Sequence, residues 1–152
     1  MYTLKVDNGN GIAVELTNHE NNYQIIEITG LDPGQANINT LSIAGMDGSI
    51  VSNTKLNNRN IVINMKLNGN VEANRTALYA LFPIKQEITL YYKTATRDVK
   101  IGGYVENITC PQFTGEEIMQ ISLICNYPYF SDRVATTVVF SSASGTVTNN
   151  KR

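Results

Sequence analysis

One stretch breaks the pattern of this chain. Residues 70–83, NVEANRTALYALFP, read as an α-helix within a sequence that otherwise alternates like β-strands. Asn70 is placed to cap its start, since a side-chain oxygen there accepts from an orphan backbone N–H one turn on. Glu72 falls in the first turn, where the helix dipole favours a negative charge. Val71, Leu78, Leu81 and Phe82 share one stripe, and Ala73, Ala77 and Ala80 are strong helix formers. Pro83 cannot continue the helix and disfavours the α region for the residue before it. The expectation is a mainly β fold with one helix, α+β in class, whose helix covers a sheet through Leu78, Leu81 and Phe82.

The strands on either side are read from their period of two. Residues 2–6 and 12–16 alternate around the turn Asp7, Asn8, Gly9, Asn10, Gly11, which predicts a hairpin. Residues 23–29 are apolar on both faces through Ile25, Ile26 and Ile28, which predicts a central strand. Residues 59–67 alternate most clearly, with Ile61, Ile63, Met65 and Leu67 facing the core. After the helix, residues 86–93 and 98–109 form a further pair, with Gly102 and Gly103 signalling a bulge or a close backbone approach. Residues 117–125 close the body, with Met119, Ile121, Leu123 and Cys125 inward. The aromatics of residues 126–130 are expected to plug one edge of the core. Residues 134–140 alternate once more, then a polar tail follows; this segment either pairs with another chain or leads into a further domain.

Residues 31–58 differ in kind. They open on the turn Leu31, Asp32, Pro33, Gly34, alternate weakly, and turn again at Gly45, Met46, Asp47, Gly48. Asp47 and Lys55 are the charges between residues 36 and 56. An excursion of this length without a firm core face is either an arm reaching a neighbouring subunit or a mobile surface loop.

Composition narrows the function. Charged residues make up 16% of the chain and the net charge is −1, with no basic run, so tight nucleic-acid binding is not expected. No apolar stretch approaches membrane-spanning length, and the start of the chain lacks a secretory core, so neither membrane insertion nor export is expected. Cys110 and Cys125 are read as reduced core thiols, with a disulfide as the alternative. His19, the single histidine, lies in a polar turn without ligand spacing around it. There is no phosphate loop and no nucleophile elbow, and Glu116 and Glu117 read as solvated. No catalytic group, metal site or cofactor is expected.

The order of these pieces resembles the N-terminal domain of the distal tail protein family of long-tailed bacteriophages, also found in prophages and phage-tail-like bacteriocins. The matching pieces run from the strand end Ile28, Thr29, Gly30, Leu31 and the turn Gly45, Met46, Asp47, Gly48 to Arg59 opening its strand. They continue through the helix with Arg75, Leu78, Tyr79, Phe82 and Pro83, then Gly103, Tyr104 and Val105, to the ending Leu123 to Phe130. The resemblance covers residues 1–130. One departure is Tyr127, where the family often has an acidic residue before the proline.

The resemblance implies a tail-tube-like β-sandwich flanked by one helix, with residues 31–58 as a belt or arm. It implies a hexameric ring at the virion tail tip, assembled in the host cytoplasm, joining the tail tube to the hub or tail-associated proteins and the host-binding apparatus. Contact with the tape-measure protein is a further implied partnership. Ile38, Leu41, Ile43, Met46, Asp47, Ile50, Arg59 and Arg75 become candidate subunit contacts. Ile61, Ile63, Met65, Leu78, Leu81, Phe82, Ile121 and Leu123 are candidate core. The family usually carries a second β-sandwich domain after the aromatic ending; here residues 131–152 follow, as a remnant or a start of one. Two alternatives remain: a tail-tube or contractile-baseplate subunit of the same fold, and a carbohydrate-binding module using Tyr91, Tyr92, Tyr104, Tyr127 and Tyr129.

Overall fold

A computed structural model of the chain describes residues 2–134; the strand expected over 134–140, past its first residue, and the tail after it lie outside the described residues. The fold is mainly β with one helix. The strands are β1 (Thr3–Asp7), β2 (Ala13–Glu15), β3 (Tyr23–Thr29), β4 (Ala36–Leu41), β5 (Ile50–Leu56), β6 (Arg59–Leu67), β7 (Glu87–Lys93), β8 (Asp98–Thr109), β9 (Ile118–Cys125) and β10 (Ser131–Asp132), and the helix is α1 (Val71–Leu81). Seven of the strands are hydrogen-bonded in one continuous path, in the order β2-β1-β7-β8-β9-β6-β3. Every neighbouring pair in it is antiparallel. β10 adds beside the first half of β8, pairing Ser131 with Lys100 and Asp132 with Val99.

Helix α1 starts and stops for the reasons its sequence carries. The Asn70 side chain accepts from the Ala73 N–H at 3.2 Å, and the Phe82 N–H donates to the Leu78 carbonyl as the last turn before Pro83. Leu78, Leu81 and Phe82 are buried in one cluster with Ile61, Ile63 and Met65 of β6 and Ile121 and Leu123 of β9. Leu4 and Val6 of β1, Ile88 and Leu90 of β7, and Ile101 and Val105 of β8 complete it. Burying each large apolar side chain stabilises the fold by about 1.5–3 kcal/mol. At its start α1 is tied to the β3–β6 side, where Asn74 donates to the carbonyls of Asn22 and Asn68. Near its end the Ala80 carbonyl accepts from buried Asn8, just beyond β1.

Among the described residues strand β3 is an edge strand, not the central one its double-faced apolar pattern suggests. The register against β6 slips between Ile25 and Glu27, so Ile26 is the extra residue of a bulge and stands 53% exposed. The slip returns Ile28 to the core side, where it packs with Tyr23 and Ile25. The run of three isoleucines is therefore a phase break, not a strand buried on both faces. In β8 the slip falls between Val105 and Asn107, while Gly102 and Gly103 keep regular register with Thr89 and Ile88. Gly103 marks a close approach instead: a Cβ there would lie 2.9 Å from the Cys125 sulfur.

Candidate assembly surface

Among the described residues, strands β4 and β5 pair only with each other. This hairpin is exposed on both faces, including Ile38, Leu41, Ile43, Met46, Asp47 and Ile50. An isolated two-stranded hairpin is at best marginally stable in water, and single monomers rarely hold so many apolar side chains together in solvent. The weak alternation of its sequence has the same origin: a hairpin exposed on both faces has no single face that burial keeps apolar. Gly45 and Gly48 turn its tip at φ +85° and +89°.

The arm meets the body at Arg59. Its Nε donates to the Pro128 carbonyl at 2.9 Å, and its Nη1 donates to the carbonyls of Gly30, at 2.6 Å, and Asp32. The same guanidinium lies over the Phe130 ring. One side chain thus joins the outgoing limb of the arm to the segment that follows β9. Gly30 allows this because its φ is +86° and its α-carbon lies against β6, where any Cβ would collide with the Asn60 carbonyl oxygen. Of the candidate contacts, then, six are exposed on the arm, while Arg59 is half-buried and committed within its own chain.

Arg75 is also engaged internally. Its side chain is largely buried, it forms an ion pair with Glu72 one turn back, and its charge acts on the Cys110 thiol. Burial pushes that thiol up, with the guanidinium of Arg75 opposing. Glu116 is exposed and paired with Lys66, whereas Glu117 has one buried carboxylate oxygen, Oε2, without a hydrogen-bond partner among the described residues; the solvated reading fits the first of the two only. Both cysteines are free thiols. Cys125 is fully buried in the core, and burial raises its thiol to about 11.

Beside Arg59 lies an open cleft of about 830 Å³ formed by the arm root and residues 127–130. Phe130 packs against the core, while Tyr127 and Tyr129 are exposed and tilted against each other at 5.2 Å between ring centres. Arg97 also reaches over Phe130, at 5.5 Å from its centre. Neither Arg97 nor the cleft is visible in the sequence, because its walls are brought together from positions far apart in the chain. Of the tyrosines considered for sugar stacking, Tyr104, Tyr127 and Tyr129 border one shallow groove, whereas Tyr92 stacks on Tyr2 and Tyr91 lies under Arg133. Among the described residues, no group of His, Cys, Asp and Glu side chains is arranged to hold a metal ion. No helix there is long and apolar enough to cross a membrane.

The described residues thus make a mainly β domain with one covering helix and a separate exposed hairpin. The chain belongs to the phage tail protein RIFT-related domain family, whose sequence profile matches residues 14–125. Its fold is similar to that of SPP1 Dit, a protein described as a paradigm of the hub adsorption apparatus in phages infecting Gram-positive bacteria. That match has a TM-score of 0.63 at 16% identity and covers 84% of this chain and 50% of that one. A chain of the phage P2 baseplate in its activated conformation with Ca is similar at TM-score 0.67 and 14% identity, covering 100% of this chain and 56% of that one. The Sr form of that baseplate gives 0.64 at 13% identity, with the same coverage of 100% and 56%. The chain spans about half the length of these solved relatives. No curated protein sequence matches it.

Proposed function

We propose that this chain is a structural subunit of the phage tail tip, forming a hexameric ring that joins the tail tube to the hub and the host-binding apparatus. Its work is assembly, with no chemistry of its own and no tight hold on nucleic acid. The observation that carries this reading is the β4–β5 hairpin, which leaves Ile38, Leu41, Ile43, Met46 and Ile50 in solvent. A ring requires head-to-tail contacts that close on rotation, and an arm that binds the next copy supplies one. Family membership supports the tail setting, and the fold likeness to Dit and baseplate chains supports the tip. Tail-tube, hub and tape-measure proteins are the partners expected on the ring's two faces, after assembly in the host cytoplasm.

Light scattering of the purified chain, with electron microscopy of any assembled species, tests the proposal. A closed six-fold ring is the expected result; a strict monomer at high concentration, with and without tail-tube protein, counts against it. Salt-dependent DNA binding in the low-micromolar range would overturn the absence of a nucleic-acid role.

A further inference from the structure

An arm that closes a ring must meet the same receiving site on every copy. Its tip carries one carboxylate, Asp47, beside exposed Ile43, Met46 and Ile50. The other charge of the hairpin, Lys55, lies back at the root, opposite Asn37. The tip is thus an apolar surface with a single negative charge.

The root cleft has the complementary character. Leu31, Leu56 and Phe130 form apolar walls, and the rings of Tyr127 and Tyr129 stand exposed along it. Its charged residues are Asp32, Arg59 and Arg97, which leaves the cleft net positive. Arg59 is occupied by backbone carbonyls. The Arg97 guanidinium lies over Phe130 and donates to no acceptor among the described residues. Thioether and aromatic groups also pack favourably, which suits Met46 to this wall.

Reach decides between the arm's own root and another copy's. Strand β4, Ala36–Leu41, spans roughly 17 Å at about 3.3 Å per residue, and the turn at Gly45 and Gly48 carries the chain further out. A paired hairpin holds its tip away from its own root by its full length, so the root cleft that a tip enters belongs to another copy.

We propose that the arm tip of one copy seats in the arm-root cleft of the next, with Asp47 facing Arg97 and Met46 lying among Tyr127, Tyr129 and Leu56. This rests on the ring reading above and names the receiving surface. The test is a charge exchange in the full chain, read as the concentration at which rings half-form. Asp47→Arg, at an exposed turn, and Arg97→Asp should each raise that concentration by about tenfold or more, and the double variant should restore it to within about threefold of the parent. Met46→Cys combined with Tyr129→Cys should give a ladder of oxidised multimers that neither single variant gives. Parent rings that tolerate both reversals, or a double variant no better than the singles, overturn the seat while leaving the ring intact. A parent chain that never assembles overturns both.

Discussion

The guanidinium of Arg59 lies 4.9 Å from the centre of the Phe130 ring while its Nε donates to the carbonyl of Pro128. With the Gly30 and Asp32 carbonyls on Nη1, this makes one side chain the common fastening of the arm root and the segment after β9. The arrangement uses what distinguishes arginine from lysine, a flat fork of donors that also stacks on an aromatic face.

Arg59→Ala should therefore destabilise the chain by about 1–3 kcal/mol in urea unfolding, since it strands part-buried carbonyls. Arg59→Lys should recover less than half of that loss. Hydrogen exchange should quicken together over residues 30–34 and 126–130; exchange that changes in only one of them would deny the shared fastening.

Leu78 sits 1% exposed beneath α1, in one cluster with β6 and β9. Leu78→Ala should cost about 2–5 kcal/mol by chemical denaturation, the range for a core leucine whose cavity only partly collapses. A cost under about 1 kcal/mol would mean that the helix is held by its caps and not by its buried stripe.

Deleting residues 36–56 removes a hairpin that, among the described residues, pairs only with itself. The shortened chain should keep its circular-dichroism spectrum and cooperative melting while losing every assembled species in light scattering. Rings formed without the arm would show that closure runs through the body.

Cys125 makes stability fall at alkaline pH. Its thiol is raised from 9.0 to about 11 by burial, so the folded state holds a proton that the unfolded chain releases. The resulting stabilisation is full below pH 9 and is lost as pH rises through 11. Melting temperature should drop across that window, and more shallowly in Cys125→Val. A thiol reagent at neutral pH should label half-buried Cys110 first and Cys125 only on unfolding.

The local structure of this chain is legible because it is set by neighbours in sequence. Asn70, the stripe of Leu78, Leu81 and Phe82, and Pro83 bound one helix, and the alternation of residues 59–67 gives β6 its buried face. The order of strands is not legible in this way. Ile25, Ile26 and Ile28 look alike in sequence whether a strand is central or bulged at an edge; only the register against β6 separates the cases. The clamp on Arg59 joins residues 29 and 69 positions away, and no short-range pattern marks such a contact. The hairpin of residues 36–56 is visible as an absence of pattern, which marks a segment exposed on both faces and nothing more.

The bulge at Ile26 has a bearing on how the chain behaves before it finds its partners. Among the described residues β3 is an open edge, and an unbroken edge strand would template pairing with the same strand of another molecule. The register slip interrupts that ladder in mid-strand. Two copies brought edge to edge would satisfy one half of the strand and mismatch the other. The fold thereby blunts β3 as a template for edge-to-edge stacking of one molecule on another.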